Sequence, residues 1–128
     1  MNEIALVVAA FLGATAVIFG AFGAHLLKKK LTTDQLYSFE TGVKYQMYHA
    51  LVLLILGFQL HLESPLNTSI FLAFIIGTLL FSFSIYGLVL SDAKNKKLRF
   101  LGPVTPLGGL FLVMDWSLLL YEFISTLA

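Results

Sequence analysis

The side chains able to do chemistry in this chain fall on a few short stretches. Tyr45, Gln46 and His49 lie in a polar and aromatic passage, Thr41 to Ala50, that runs into the apolar run Leu51 to Leu60. Read as a helix at about 100° per residue, the passage puts Gly42, Tyr45, Gln46 and His49 within an arc of roughly 100°, with Lys44 and Met47 on the far side. His25 closes the sequence Gly20-Ala21-Phe22-Gly23-Ala24, and its angular position predicts that it faces protein. Thr78, Ser82 and Tyr86 recur at i, i+4 spacing on one stripe. Thr105 precedes Pro106, and Asp115 stands alone in a long apolar run.

Two chemistries fit this set. His25, Tyr45, Gln46, His49, Ser82, Tyr86, Thr105 and Asp115 could line a polar cavity that binds a small ligand, a metal ion or protons, with the histidines titrating. The same groups could instead form a network of interhelical hydrogen bonds that fixes packing, each worth about 0.6 kcal/mol on average in membrane proteins. The second reading is the one favoured. A metal centre needs three or four histidine or carboxylate ligands, and only His25, His49 and Asp115 qualify, from three separate runs without recognisable spacing. No metal and no cofactor are therefore expected. Catalysis is not expected either: there is no cysteine, no nucleophile elbow or zinc-protease motif, and no lysine-serine or lysine-threonine sequel to the glycine-rich passages.

These residues must be positioned by membrane helices. Of 128 residues 59% are hydrophobic and only 12% charged, with a mean hydropathy of +0.91, beyond an ordinary soluble domain. A spanning helix needs about 20 predominantly apolar residues, and four runs qualify: residues 4–27, 43–62, 69–90 and 107–124. The fold expected is all-α, a single integral-membrane bundle of four transmembrane helices spanning residues 1–128, with the second helix preceded by an interfacial extension. The first run is too long for the core of a cleaved signal peptide and lacks a basic residue ahead of it, so it is expected to remain as a span.

All eight Lys and Arg residues flank two connections: Lys28, Lys29, Lys30 and Lys44 the first, Lys94, Lys96, Lys97 and Arg99 the third. The positive-inside bias then places both connections in the cytoplasm and both termini outside. The expected partners are membrane lipids and, with four short helices exposing small-residue surface, further copies of the chain; no nucleic acid is expected.

Local signals refine the elements. Ala9, Gly13, Ala16, Gly20 and Gly23 make a small-residue seam suited to close helix contact, which suggests that the first helix is central to the bundle. Thr32 to Gln35 reads as a capping box, so the second helix starts well before its apolar part, and Leu36, Phe39 and Val43, with Tyr37 and Glu40 between, suggest a first stretch lying in the headgroup zone. Pro65 and Asn67 mark a turn before Thr68 or Ser69 caps the third helix. Thr105 suits the N-cap of the fourth, with Pro106 at its first position and Gly108 and Gly109 allowing close approach to its first turn. Asp115 lies about 15 Å further along at ~1.5 Å per residue, where a charge costs about 2.5–3.5 kcal/mol on insertion scales. Gly13, Gly20, Gly23, Gly42, Gly108 and Gly109 are the candidate packing glycines. The two halves share a plan of span, basic loop and span, but no residue-level repeat supports a duplication.

Taken together, Gly20 to His25, Thr41-Gly42-Val43 with Tyr45, Gln46 and His49, Phe81-Ser82 with Ser84 and Tyr86, Thr105-Pro106 with Gly108-Gly109, and Trp116 resemble the family of small bacterial membrane proteins typified by YgdD and YwdK. The resemblance covers essentially the whole chain and implies four membrane helices and no reaction, because the family's function is unknown. Phe83 and Asp115 depart from the family pattern, where a glycine and a small residue are usual. The function expected is that of a multi-pass protein of the bacterial cytoplasmic membrane, a non-catalytic structural or interaction component of the envelope. The alternative is a small transporter or channel-like binding protein with a polar cavity in its cytoplasmic half.

Overall fold

Local sequence sets where each helix starts and stops. In the computed structural model, which describes residues 2–127, four helical rods follow one another: α1 (Asn2–Leu27), α2 (Thr33–Gln59), α3 (Pro65–Ala93) and α4 (Val104–Leu127). A short 3₁₀ turn, Arg99–Leu101, precedes α4. There is no strand among the described residues. Three helices are long and apolar enough to cross a membrane: α1, α3, and α4 together with its leading turn. In α2 the first turns are polar, and an unbroken apolar run begins only at Ala50, past Gln46 and His49.

The start of α2 is a complete capping box. Thr32 Oγ1 accepts from the Gln35 backbone N–H at 3.1 Å, and Gln35 Oε1 accepts from the Thr32 N–H at 3.0 Å, so two otherwise orphaned donors are satisfied reciprocally. The next start differs from the expected one. Ser64 is the N-cap of α3 and Pro65 its first residue, where a missing N–H costs nothing. Asn67 is already inside the helix and buried, donating from Nδ2 to His61 O at 3.2 Å, while the Thr68 hydroxyl donates to Leu62 O. α4 likewise begins one residue before the expected cap, at Val104. Thr105 is therefore in the first turn, where its hydroxyl is free to reach another helix. At the end of α3, Asn95 takes φ 59°, the left-handed conformation that closes a helix, and the Lys96 N–H returns to Ser91 O at 2.9 Å.

α1 and α3 each contain one π-helical turn, Ile18–Gly23 and Leu79–Phe83. Packing runs in sequence: α1 on α2, α2 on α3, α3 on α4. Contrary to expectation α1 is peripheral. In its most apolar stretch 22% of residues are buried, against 44% for α3, and Ile4, Val7, Phe11 and Phe22 are exposed. The seam does face a neighbour, because Ala5, Ala9, Leu12 and Ala16 are buried and a Cβ on Gly20 would stand 3.0 Å from Val43 Cγ1 on α2. Small residues on one face give one close partner; they do not enclose a helix on all sides.

Two apolar clusters result. One holds Ala5, Ala9, Leu12, Ala50, Leu53, Leu56, Ile70, Phe74, Leu112 and Leu119; the other, at the basic end, holds Leu31, Phe39, Ile85, Tyr86 and Val89.

Candidate polar site

Gln46 is the hub. It is 0% exposed, and its side-chain amide is spent on protein atoms from two other helices. Nε2 donates to Leu12 O at 2.9 Å and to Thr15 Oγ1 at 2.7 Å on α1, and Oε1 accepts from the Tyr86 hydroxyl at 2.7 Å on α3. Thr15 in turn donates back to its own helix, to Phe11 O at 3.0 Å. One turn away Ser82 Oγ donates to Gly42 O at 2.7 Å. Gly42 admits this contact because it has no side chain: a Cβ there would lie 2.8 Å from Tyr86 Cε1. The Tyr86 ring is held by Phe19 edge-on at 5.3 Å and by Phe39 at 5.2 Å.

His49 uses both ring nitrogens. Nδ1 lies 2.7 Å from Tyr45 O, and since a carbonyl only accepts, Nδ1 carries the hydrogen. Nε2 accepts from Trp116 Nε1 of α4 at 3.3 Å. Phe74 closes the group, 5.8 Å from the His49 ring and 5.5 Å from the Trp116 ring.

The sequence-expected residues are thus divided. Gln46, Ser82 and Tyr86 join α2 to α3, and Gln46 adds α1. His49 joins α4 instead. Tyr45 contributes its backbone carbonyl to His49; its ring lies over Phe81 at 4.8 Å and is 39% exposed. Thr105 meets Ser84 at 2.5 Å between hydroxyls, away from the hub. His25 is exposed on the peripheral helix, which corrects the expectation that it faces protein: it projects from the side of α1 that the seam leaves bare. Asp115 is 0% exposed, and neither carboxylate oxygen has a hydrogen-bond partner.

Two participants escape a reading of the sequence: Thr15, and Asn2, whose Nδ2 donates to Gly57 O at 2.7 Å and Leu60 O at 2.8 Å; Ser84 and Trp116 stand out in the sequence, but not as partners of Thr105 and His49. Thr15 and Asn2 look ordinary on their own helix, and only the neighbour gives them a role.

Of the packing glycines, Gly108 is the most constrained. A Cβ on it would collide with the Phe81 backbone nitrogen and come within 2.8 Å of Leu80 C and Phe81 Cα, inside the π-turn of α3. Gly13, Gly23 and Gly109 have room for a Cβ at ordinary contact distance, 3.9, 3.5 and 3.8 Å from their nearest neighbours. Gly57 and Gly77, not singled out from sequence, sit under Leu6 Cδ2 and Leu112 Cδ2, each 2.9 Å from the position of a Cβ.

Gln46 lines neither of the clefts beside the polar side chains. A cleft of about 320 Å³ between α2 and α4 is lined by Tyr45, His49, Phe81, Gly109, Leu112, Val113 and Trp116. A larger one of about 460 Å³ lies at the basic end among Asp34, Gln35, Asp92, Lys97 and Thr105, where Gln35 Nε2 donates to Asp92 Oδ2 at 2.8 Å. Among the described residues no group of three or more His, Cys, Asp or Glu side chains is placed to hold a metal ion.

Residues 19–109 match a family described as a protein of unknown function (DUF423). The inner membrane protein YgdD of Escherichia coli strain K12 is 38% identical over 120 residues, covering 90% of this chain and 85% of its own. The Bacillus subtilis membrane protein YwdK is 39% identical over 107 residues, covering 81% and 82%. A membrane protein of Schizosaccharomyces pombe is 36% identical over 114 residues, covering 88% and 95%, so such proteins are not confined to bacteria. No solved structure matches the chain.

Proposed function

We propose a role for this chain from the premise that it belongs to that family of membrane proteins of unknown function: it is a non-catalytic structural or interaction component of the cytoplasmic membrane, and its polar side chains hold four helices in register. The observation that carries this reading is Gln46, fully enclosed and bonded directly to α1 and α3. In lipid such groups find no partner outside the protein, and here they find them on one another. In this reading α2 is the fourth span. Its capped polar start lies in the headgroup zone, and its deeper polar groups, Gln46 and His49, are covered by neighbouring helices.

The proposed topology puts both termini outside, because every lysine and arginine flanks the α1–α2 and α3–α4 connections. In intact cells a cysteine at Asn2 should react with an impermeant maleimide and one at Asn95 should not. The reverse labelling pattern would invert the orientation.

One observation favours the second reading, a small transporter or binding protein: the cleft that reaches His49 and Trp116. Replacing His49 by Gln keeps a donor and an acceptor but removes a nitrogen that could bind a ligand. If His49 only packs, His49→Gln should melt close to the wild type, and zinc should leave the wild-type ring-nitrogen chemical shifts unchanged. A folded His49→Gln protein that has lost a zinc response present in the wild type would sink the packing reading.

A further inference from the structure

Two buried polar side chains remain outside the bonded network, and they lie on helices that pack together. Asp115 of α4 is 0% exposed and Thr78 of α3 is 1% exposed. Neither carboxylate oxygen of Asp115, nor Thr78 Oγ1, has a hydrogen-bond partner. Such groups are rare in folded proteins and costly. Thr78 is also unusual among the helical hydroxyls here. Thr15, Thr41, Ser69 and Ser117 all donate to the carbonyl one turn back, at 3.0, 3.0, 2.8 and 2.8 Å; Thr78 does not.

The packing of α3 on α4 brings the two together. A Cβ on Gly77 would meet Leu112 Cδ2 at 2.9 Å and Phe111 Cβ at 3.2 Å, and Gly108 lies against Leu80 and Phe81. Those pairings fix an antiparallel register that sets Asp115 at the level of Phe74, and the Phe74–Trp116 ring contact at 5.5 Å agrees with it. Thr78 is then about 6–7 Å away along the axis, at ~1.5 Å per residue. Side chains tilt toward the N-terminus of their own helix, so in this antiparallel pair the hydroxyl of Thr78 and the carboxyl of Asp115 lean toward each other. Immediately beyond Thr78 the π-turn Leu79–Phe83 breaks the regular pairing of backbone carbonyls.

We propose that Asp115 and Thr78 are the protein ligands of a buried site for one small cation between α3 and α4. Hard oxygen donors and a single negative charge call for a single positive charge, and a divalent ion would leave an excess charge in an apolar setting. The protein supplies no cation of its own, since all eight Lys and Arg side chains are exposed near the basic connections. The other buried titratable side chains on the neighbouring helices are already engaged: His49 of α2 is bonded at both nitrogens and Tyr86 of α3 donates to Gln46. The charge arrives as a sodium-sized ion that bridges the carboxylate and the hydroxyl, which do not bond to each other directly.

The experiment compares wild type, Asp115→Asn and Thr78→Val in lipid nanodiscs, by melting in sodium against choline chloride at equal ionic strength and by infrared spectroscopy. A sodium-dependent rise in melting temperature, lost in Asp115→Asn and reduced in Thr78→Val, identifies the occupant as the metal ion. No sodium response, with a protonated-carboxylic-acid carbonyl band that Asp115→Asn removes, overturns the proposal and shows a carboxyl neutralised by its own proton. An ionised carboxylate band in the wild type without a sodium response overturns the proposal, as does a Thr78→Val protein that matches the wild type in both signals. If Asp115→Asn fails to fold, the wild-type spectrum and Thr78→Val still decide.

Discussion

Gly108→Ala should lower the melting temperature of the detergent-solubilised protein more than alanine at Gly13, Gly23 or Gly109. The added carbon at Gly108 meets backbone, the Phe81 nitrogen and Leu80 carbonyl carbon, whereas at the other three it meets side-chain atoms 3.5 Å or more away. A side chain can rotate out of the way; the backbone of a packed helix has to translate. Forcing extra volume into a tight contact costs about 1–3 kcal/mol, occasionally more, and here the shift would also pull Leu112 off Gly77. Gly13→Ala, with its nearest neighbour 3.9 Å away, is the control expected to melt with the wild type or slightly above it, since alanine favours the helix by roughly 1 kcal/mol. Equal melting of Gly108→Ala and Gly13→Ala would mean that α3 and α4 are not held at this spacing.

The second large effect is expected at the hub. Gln46→Leu keeps most of the side chain's bulk but leaves the Tyr86 hydroxyl buried without its acceptor and Thr15 Oγ1 without its donor. A buried polar group stranded in this way costs about 1–3 kcal/mol, while removing both partners of a bond costs far less. Tyr86→Phe strands one buried acceptor, Gln46 Oε1, and should cost about 1–3 kcal/mol; Gln46→Leu, which also loses both bonds to α1, should cost more, and the double variant should be more stable than Gln46→Leu alone. Melting curves of the three proteins in one detergent test this. Strict additivity would show that Gln46 and Tyr86 do not depend on each other.

What the sequence reveals here is what is local or periodic. The capping box at Thr32 is four residues long and self-contained, so it can be read directly, as can the basic connections and the seam of α1. The helical face carrying Gly42, Gln46 and His49 is legible because all three lie on one uninterrupted helix and all three are buried. The partners of that face are less legible: Thr15 and Trp116 acquire their roles only from the register of one helix against another. Two expectations fail for a more specific reason. The expected enclosure of α1 rests on residue size, which sets how near a neighbour comes and not how many neighbours there are. The stripe of Thr78, Ser82 and Tyr86 assumes one unbroken α-helical period, but the π-turn Leu79–Phe83 intervenes. Ser82 and Tyr86 reach α2, while Thr78 is left with no bond at all.

That widened turn also limits how the chain can change in length. A π-turn amounts to one residue inserted into an α-helix, and one residue is worth about 100° of rotation. Losing a residue between 79 and 83 would let the helix wind regularly, and would swing everything from Ser84 to Ala93 round by that angle. Tyr86 would leave Gln46, and Ser84 would leave Thr105. The same loss in the connection around Asn95 alters no helical phase. Insertions and deletions during divergence are thus tolerable between these helices and disruptive within the middle of α3, so this stretch should keep a fixed residue count even where its side chains drift.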